Sequence, residues 1–316
     1  MEKRPGLVYK PEKTRPHLKT RFSHEKHKKI LKECEDVPET PPAFLLPINR
    51  VGISDKIVWI RLPEGMIPFE AEIHVDLPAN YRGIHMSRME QAISNIYQHE
   101  FKDIAHYAST LANLVLEGQN AQQVQVKLEG KIPQLLKTPI SLINSIDHVL
   151  VSCKATFFKG EGGIKKAYCI GTGVYHITAC PCTQAYNRSL FGELSPGKSY
   201  PTHSQRSITW LEVETCGDRP DFSQLYQCLN SSLHLSQDLL KRPDEAELVW
   251  QSHNIPQFAE DVVRMVAQQA GILLAETLEP DTIIRIQTTS YESIHRHNVN
   301  CMLELTIKEI VTALEG

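Results

Sequence analysis

The sequence predicts an α+β fold in which the order strand–strand–helix–helix–strand–strand occurs twice. In each half, segments that alternate apolar and polar residues at period two flank segments with apolar residues at helical spacing. The run Glu161-Gly162-Gly163 interrupts the pattern, and a similar order begins again after it. A chain of 316 residues has room for two domains. We therefore predict an N-terminal arm over 1–42, a first module over 43–162 and a second module over 163–316.

The first half is predicted from its alternating segments and from one strongly amphipathic helix. In the segment 103–117 the apolar residues Ile104, Tyr107 and Leu111 fall on one face, and Gly118 follows as a stop signal. The predicted strands of this half are 47–62, 69–77, 124–130 and 147–157, and its predicted helices are 89–99 and 103–117.

The second half repeats this order of elements. Val262, Val266 and Ala270 share a face of a predicted helix. The predicted strands of this half are 167–178, 207–215, 282–288 and 302–307, and its predicted helices are 222–240 and 258–271. Sequence identity between the halves is too low to establish the repeat by itself, so the prediction depends on the pattern of elements.

The composition is that of a soluble protein. No apolar run approaches the roughly 20 residues of a transmembrane helix, and the polar N-terminus lacks the apolar stretch of a secretory signal. Eight cysteines without an export signal indicate reduced thiols and a cytoplasmic protein. The basic arm over 1–42 could bind nucleic acid. We interpret it as a poorly structured, solvated tail and do not expect nucleic acid or a membrane as a partner.

The most informative chemical pattern is a Cys-Pro-Cys sequence followed by a histidine. Cys180 and Cys182 stand at the end of a predicted strand, and His203 follows a loop rich in Gly, Pro and Ser. Cysteines at this spacing would strain to form a disulfide with each other. Thiolate and imidazole are preferred ligands of zinc and of its neighbours in the first transition series. The pattern therefore predicts a metal site, although a single cysteine is more often a small buried apolar residue.

Three further groups of ionisable residues lie in the second half: 241–245, Glu260-Asp261, and His295 with His297. One Cys, one His and one Glu would leave an open coordination position, which is the catalytic arrangement. Each group also has a simpler interpretation. Acidic residues favour a helix N-terminus, charged residues at a helix end are solvated, and in an extended strand only one histidine of a His-x-His pair faces a given site.

Six motifs occur together in the chain: RGIHMSR at 82–88, ITACPC at 177–182, THSQRS at 202–207, LKRPDE at 240–245, FAEDVVR at 258–264 and ESIHRH at 292–297. With them the chain resembles the GTP cyclohydrolase type IB family, metal-dependent enzymes that open the guanine ring of GTP. The family includes an archaeal branch of the methanopterin pathway. The resemblance covers the chain from about residue 47 to its C-terminus, and its specificity comes from the ordered set of motifs.

The resemblance implies a tunnelling fold (T-fold). Its expected form is two tandem ββααββ modules, each with an antiparallel sheet and helices on one face, the second module carrying the metal site. It also implies a homotetramer with active sites at subunit interfaces.

The resemblance further implies roles for individual residues by their motif positions. Cys180, His203 and Glu245 are the expected ligands of one divalent metal per subunit, Fe²⁺, Mn²⁺ or Zn²⁺. Glu260 is the expected carboxylate that binds the guanine N–H groups. Cys182 and His295 are the expected proton-transfer residues, supported by His297. Because an anionic triphosphate requires cations, charge alone makes Arg82, Arg88, Arg206 and Lys241 candidates for binding it, the first two donated by a neighbouring subunit.

The implied reaction is attack of activated water on C8 of GTP, loss of formate and closure of a dihydropterin ring. We predict 7,8-dihydroneopterin triphosphate as the product, which is the first step of folate-type pterin biosynthesis. Thr183-Gln184-Ala185 after the second cysteine and the longer loop to His203 favour the archaeal alternative, 7,8-dihydroneopterin 2′,3′-cyclic phosphate. Two competing functions are a different T-fold pterin or deazapurine enzyme and a non-catalytic metal or nucleotide sensor.

Overall fold

A computed structural model describes residues 21–194 and 198–316 of the chain. The helices are α1 (His24–Glu33), α2 (Met86–Ile96), α3 (Ile104–Gly118), α4 (Pro181–Phe191), α5 (Phe222–Ser232), α6 (Arg242–Asn254), α7 (Ala259–Leu274) and α8 (Ile307–Glu315). The strands are β1 (Ile48–Leu62), β2 (Gly65–Leu77), β3 (Gln123–Lys137), β4 (Asn144–Gly160), β5 (Gly163–Ala179), β6 (Ser204–Thr215), β7 (His234–Leu235), β8 (Ile283–Ser290) and β9 (Val299–Thr306).

The described strands form one nine-stranded sheet in the order β1-β2-β3-β4-β5-β6-β8-β9, with β7 paired to β5. All of the ladders are antiparallel. The α+β class predicted from the sequence is confirmed. The prediction of tandem T-fold modules, each with its own sheet, is wrong, because the strands of both halves belong to one sheet.

The junction between the halves explains why the sheet does not divide. Strands β4 and β5 pair from Leu150 opposite Gly173 to Gly160 opposite Gly163. The tight turn at Glu161-Gly162 joins them, and Gly163 has a φ of +113°, which a residue without a Cβ adopts at little cost. The predicted boundary at 162/163 therefore falls at the tip of a hairpin, where the two strands continue the same sheet.

The helices cover the sheet and close one continuous hydrophobic core. Helix α3 packs on β3 and β4, and α5 and α7 pack on each other and on β5 and β8. The predicted face of α3 is buried, with Ile104, Tyr107 and Leu111 at most 1% exposed. Val262 and Val266 of α7 lie in the same cluster of buried residues as these α3 side chains. The amphipathic patterns thus fix the position of α7 and of its first turn.

The structure differs from the predicted elements around residues 222–254. The predicted helix over 222–240 ends at Ser232, because Leu233 is extended and His234-Leu235 pair with β5. The charged segment 241–245 begins α6 and does not end a helix. Helix α4, directly after Cys180, and helix α8 were not predicted.

The described part of the N-terminal arm contains α1 and a 3₁₀ turn over Val37–Glu39, and all residues of α1 are exposed. The rest of the predicted arm, residues 1–20, lies outside the described residues. No helix in the described ranges is long and apolar enough to span a bilayer.

Candidate active site

The β5–β6 ladder brings Cys180 and His203 together. The ladder pairs Ala179 with Ser204, so Cys180 directly follows β5 and His203 directly precedes β6. The backbone N–H of Cys180 donates to the carbonyl of His203 at 3.0 Å. The Thr202 hydroxyl donates to the carbonyl of Cys180 at 2.6 Å. The two predicted metal ligands therefore lie opposite each other at one end of the sheet, although they are far apart in the sequence.

Both residues line a cavity of about 300 Å³. The first turn of α7 contributes Glu260, and the connection between β8 and β9 contributes His295 and His297. Five predicted site residues are thus brought together from four separate parts of the chain. Cavities of this size and polarity are typical of small-molecule sites.

Cys180 occupies the N-cap position of α4. Its Sγ accepts hydrogen bonds from the backbone N–H of Thr183 at 3.5 Å and from the Thr183 hydroxyl at 3.6 Å. These two contacts hold the sulfur at the start of the helix. The Cys-Pro-Cys motif places proline at the first helical position, where its missing N–H does no harm. The local sequence therefore positions this sulfur at the cavity.

The three histidines of the cavity form one group. The rings of His295 and His297 stack with centroids 5.2 Å apart, and His203 meets His295 edge-on at 6.4 Å. The restriction that an extended strand would place on the His-x-His pair does not apply, because both histidines lie in a connection between strands and both line the cavity. His203 Nδ1 lies 3.1 Å from Gln205 Oε1. With Nδ1–H as the donor, the Nε2 lone pair of His203 is free to bind a metal.

Glu292 and Gln257 also line the cavity, and neither was assigned a role from the sequence. The hydroxyl of Ser290 donates to Glu292 Oε1 at 3.0 Å. Gln257 is buried, and its Nε2 donates to the carbonyl of Ser232 at 3.0 Å. Its Oε1 is buried without a partner among the described residues. Glu292 begins the motif ESIHRH, so its position in the motif could have indicated it; nothing in the sequence indicated Gln257.

A buried chain of hydroxyl groups lies behind Glu292. Thr178 Oγ1 is 2.9 Å from Ser207 Oγ and 3.3 Å from Ser290 Oγ, and all three side chains are at most 2% exposed. A second chain runs beside it, from His176 Nε2 to Thr209 Oγ1 and on to Thr288 Oγ1, with both steps at 2.8 Å. The first chain of hydrogen bonds ends on the carboxylate of Glu292 at the cavity. The second chain of hydrogen bonds ends on the backbone carbonyl of Ile208.

Glu245 and Cys182 are not among the residues that line this cavity. Both are exposed, Glu245 in the first turn of α6 and Cys182 in the first turn of α4. The neighbouring Asp244 is buried and accepts from the N–H groups of Ile140, Ser141 and Lys241. Burial acts to raise the pKa of Asp244, but these hydrogen bonds outweigh it and hold that pKa well below its usual range. The acidic start of α6 therefore includes one structural carboxylate and one exposed carboxylate.

The four predicted triphosphate-binding cations also lie outside the cavity. Lys241 stands at the N-cap of α6, and Arg82 is exposed before α2. Arg88 lies 3.9 Å from Asp36 and 3.8 Å from Glu39. Arg206 stacks over Tyr175 and Tyr291 at 5.6 and 6.0 Å. Within the described part of one chain, no Lys or Arg side chain lines the cavity.

Metal-binding chemistry is present in the cavity. Cys180 offers a sulfur, the histidines offer imidazole nitrogens, and Glu260 and Glu292 offer carboxylate oxygens, and these donor types suit Zn²⁺, Fe²⁺ or Mn²⁺. The described residues contain one group whose ligand atoms all lie within 4.8 Å of one another, Asp36, Glu39 and His85. Arg88 lies beside both of its acids. That guanidinium accounts for the acidic pair without a bound cation.

Comparison with known proteins identifies relatives over most of the chain. The family model described as type I GTP cyclohydrolase folE2 matches residues 34–301. A GTP cyclohydrolase MptA of Methanoculleus marisnigri is 28% identical over 316 aligned residues, which cover 90% of this chain and 98% of the relative. GTP cyclohydrolase MptA 2 of Methanocella arvoryzae is 29% identical, with 88% and 98% covered. The MptA of Thermoplasma volcanium is 28% identical, with 83% and 92% covered.

Among solved structures the chain is similar to uricases. The uricase of Bacillus fastidious aligns with a TM-score of 0.46 and 9% identity, covering 84% of this chain and 95% of that one. A thermostable urate oxidase mutant of Bacillus sp. TB-90 aligns with a TM-score of 0.49 and 8% identity, covering 82% and 99%. Similarity at this level contributes nothing to the assignment of the site.

Proposed function

The chain belongs to the type I GTP cyclohydrolase family, and from this premise we propose that it opens the guanine ring of GTP at C8 with release of formate. One observation carries the proposal for this chain: a single cavity contains Cys180, His203 and Glu260 together with two stacked histidines. Such a cavity combines a metal-binding pair, a carboxylate for the guanine edge and groups that can carry protons.

We propose that Glu260 binds the guanine ring. Its carboxylate stands in the first turn of α7 and is exposed to the cavity. The guanine N1–H and 2-amino group form a planar edge of donors that matches the two oxygens of a carboxylate. Binding this edge would direct the imidazole part of the purine, which carries C8, away from α7 and toward the other groups of the cavity.

Cys180 and His203 are proposed to hold the divalent metal, with Glu292 as the carboxylate partner because it lines the same cavity. Glu245, the third ligand expected from motif position, stays a prediction that the single chain does not bring to this cavity. When bound, such a metal supplies Lewis-acid activation of water near neutral pH. The choice among Fe²⁺, Mn²⁺ and Zn²⁺ depends on geometry and availability more than on affinity order.

His295 and His297 are proposed to carry protons during ring opening and closure. Imidazole titrates near neutral pH and can both accept and donate a proton. The stacked rings let one histidine orient the other while both remain at the cavity wall. Cys182, exposed in the first turn of α4, is retained as a proposed proton donor because of its motif position.

Of the two products considered, we propose 7,8-dihydroneopterin 2′,3′-cyclic phosphate. The three archaeal relatives carry the name GTP cyclohydrolase MptA, and the long connection from Cys182 to His203 favours the same branch. The triphosphate product is the alternative. A cytoplasmic location and a homotetramer are further parts of the proposal. The oligomer is supported by the cavity itself, whose described lining in one chain lacks the cations that a triphosphate requires.

The test is an anaerobic turnover assay of metal-free protein supplied with GTP and with Fe²⁺, Mn²⁺ or Zn²⁺ in turn. Formate, pterin fluorescence after oxidation and the phosphate content of the product are measured together. We expect formate with a cyclic phosphate, and Cys180→Ser to lower the rate by about a hundredfold or more, the range typical of lost catalytic groups. Cys216→Ser, a change at an exposed thiol outside the cavity, is the matched control. Tight GTP binding without formate for any metal would contradict the proposal and favour a sensor.

A further inference from the structure

A second cavity, of about 390 Å³, lies where the sheet opens between β4 and β5. The β4–β5 ladder ends at Leu150 opposite Gly173. Beyond that point β4 stays paired with β3 as far as Asn144, whereas β5 continues to Ala179 alongside β6 and β7. The two strands therefore diverge, and Tyr226 of α5 and the segment 235–238 line the space between them. We call this space the wedge cavity.

Two cations and two carboxylates line the wedge cavity, Lys131 and Arg206 with Asp147 and Asp238. Lys131 and Arg206 both line it, and neither forms an ion pair with any described residue. The guanidinium of Arg206 is held over the ring of Tyr175, which also lines the cavity. Cations without an ion-pair partner attract an anion, and arginine and lysine both commonly bind phosphate groups.

Asp147 and His148 line the wedge cavity, and each has one buried polar atom without a hydrogen-bond partner in the described part of the chain. Asp147 Oδ1 accepts from the N–H of Asp238 at 2.6 Å, but Asp147 Oδ2 is buried and unpaired in the described part of the chain. His148 Nε2 is likewise buried and unpaired there. Buried polar atoms without hydrogen bonds are costly in free energy, so a ligand group that reached these atoms would stabilise the site. The free carboxylate oxygen calls for an N–H or O–H donor.

Aromatic side chains complete the wall. Tyr175 and Tyr226 line the cavity, and the ring of His148 meets that of Tyr175 edge-on at 6.1 Å. Flat walls of this type accept a planar heterocycle. Cations, a carboxylate acceptor and aromatic rings together describe a ligand with a phosphate, a donor-bearing edge and a flat ring.

We infer that the wedge cavity is a second ligand site, which binds a phosphorylated heterocycle with an amino-pyrimidinone edge. Guanine nucleotides and phosphorylated pterins share that edge, so the ligand is either of the substrate type or of the product type. The choice of guanine and pterin as the ring rests on the proposed function. The presence of the cavity and of its charged residues is independent of that proposal. The site is separate from the cavity of Cys180 and His203, since the two have no lining residue in common among the described residues.

The experiment is equilibrium dialysis of the full chain against GMP, neopterin monophosphate and inorganic phosphate. Wild-type protein is expected to bind GMP or neopterin monophosphate at two classes of site per chain. Asp147→Asn and Lys131→Gln should each weaken one class by about tenfold, the effect of losing a single charged contact. Glu260→Gln should weaken only the other class. Lys137→Gln, on the same strand and outside the wedge cavity, should change neither.

Preference for GMP would identify a substrate-type ligand, and preference for neopterin monophosphate a product-type ligand. A single class of site, lost in Glu260→Gln and unchanged in Asp147→Asn and Lys131→Gln, would overturn the inference. If inorganic phosphate bound the wedge cavity as tightly as GMP and neopterin monophosphate do, the inference that the site recognises a heterocyclic ring would be overturned. Lys131 is exposed, so Lys131→Gln is expected to fold. This variant therefore still tests the inference if Asp147→Asn fails to fold. Absence of formate release by wild-type protein would contradict the proposed function without changing the number of GMP sites.

Discussion

At the residue scale, the cavity depends on side chains that hold the reactive groups in position. Glu292 lines the cavity and is connected through Ser290 and Thr178 to Ser207, which is fully buried. Hydrogen bonds to a charged group contribute about 1.5–3 kcal/mol. A chain of them restricts the carboxylate to one orientation, and orientation is what a metal ligand or a proton acceptor needs.

Replacing Thr178 with valine should therefore slow formate release by roughly tenfold or more, since about 1.4 kcal/mol of lost stabilisation is tenfold in rate. The substitution keeps the shape of the side chain and removes the hydroxyl that joins Ser207 to Ser290. Thr178→Ser should restore most of the rate. Thr288→Val, in the parallel chain that ends on a backbone carbonyl, is the control. Equal rates for Thr178→Val and Thr288→Val would contradict this role.

His176 should make the protein less stable in acid. Burial lowers its pKa to about 3 from a usual value of 6.5, so the folded chain holds it neutral while the unfolded chain protonates it. The contribution of the neutral His176 to the free energy of unfolding is complete above pH 6.5 and is lost as the pH falls toward about 3. Over this range the free energy of unfolding falls by up to about 1.4 kcal/mol per pH unit. His176→Gln should flatten the pH dependence of urea unfolding between pH 6.5 and about 4. Identical slopes for both proteins would show that other groups dominate.

At the element scale, helix starts and strand junctions place the site. Helix α4 begins directly at Cys180 because proline follows it, and α7 presents Glu260 in its first turn. The proximity of Cys180 and His203 follows from the register of the β5–β6 ladder, whatever path the intervening loop takes. The β4–β5 turn has a similar importance, since it joins the two halves of the sheet.

Substitution of Gly163 by alanine should destabilise the protein by about 1–3 kcal/mol. The cause is the φ of +113° at Gly163, which L-residues rarely adopt. A steric clash is not the cause, since an added Cβ would meet no atom within 4 Å. Gly162 stands in equally open space with an ordinary φ, so Gly162→Ala is a matched control with little expected effect. Denaturant unfolding of the two variants tests this. Equal stabilities would show that the turn relaxes around the new side chain.

At the scale of the whole molecule, no Lys or Arg side chain lines the cavity in the described part of one chain, which agrees with the proposal that the site is shared between chains. An anionic triphosphate requires cations, and the predicted ones, such as Arg88, lie elsewhere in the same chain. Symmetric assembly could bring Arg82 and Arg88 of one copy to the cavity of another.

A mixture of two inactive variants should therefore recover activity. If each site takes Cys180 from one chain and Arg88 from its neighbour, random co-assembly of Cys180→Ser and Arg88→Ala chains leaves about one site in four intact. Formate release by the co-expressed mixture, compared with each variant alone, provides the measurement. Unchanged GTP affinity in Arg88→Ala, or no recovery in the mixture, would remove Arg88 from the site.

Several features of this protein were determined by the sequence alone. Period-two and helical apolar patterns gave the α+β class, because burial of one face repeats at a fixed local spacing. The ordered motifs gave the family, and the family prediction is confirmed by the match over residues 34–301. They also identified Cys180, His203, Glu260, His295 and His297, which the structure brings into one cavity.

The pairing of the strands and the lining of the two cavities were decided only by the tertiary structure. Local patterns do not reveal which strands pair across the junction, so they could not show that the two halves form one sheet. They could not add Glu292 and Gln257 to the first cavity, nor show that Arg206 lines a different cavity. Each of these depends on strand register and on the path of a connection. Register is fixed by contacts between residues far apart in the chain, and a single sequence contains no local signal for them.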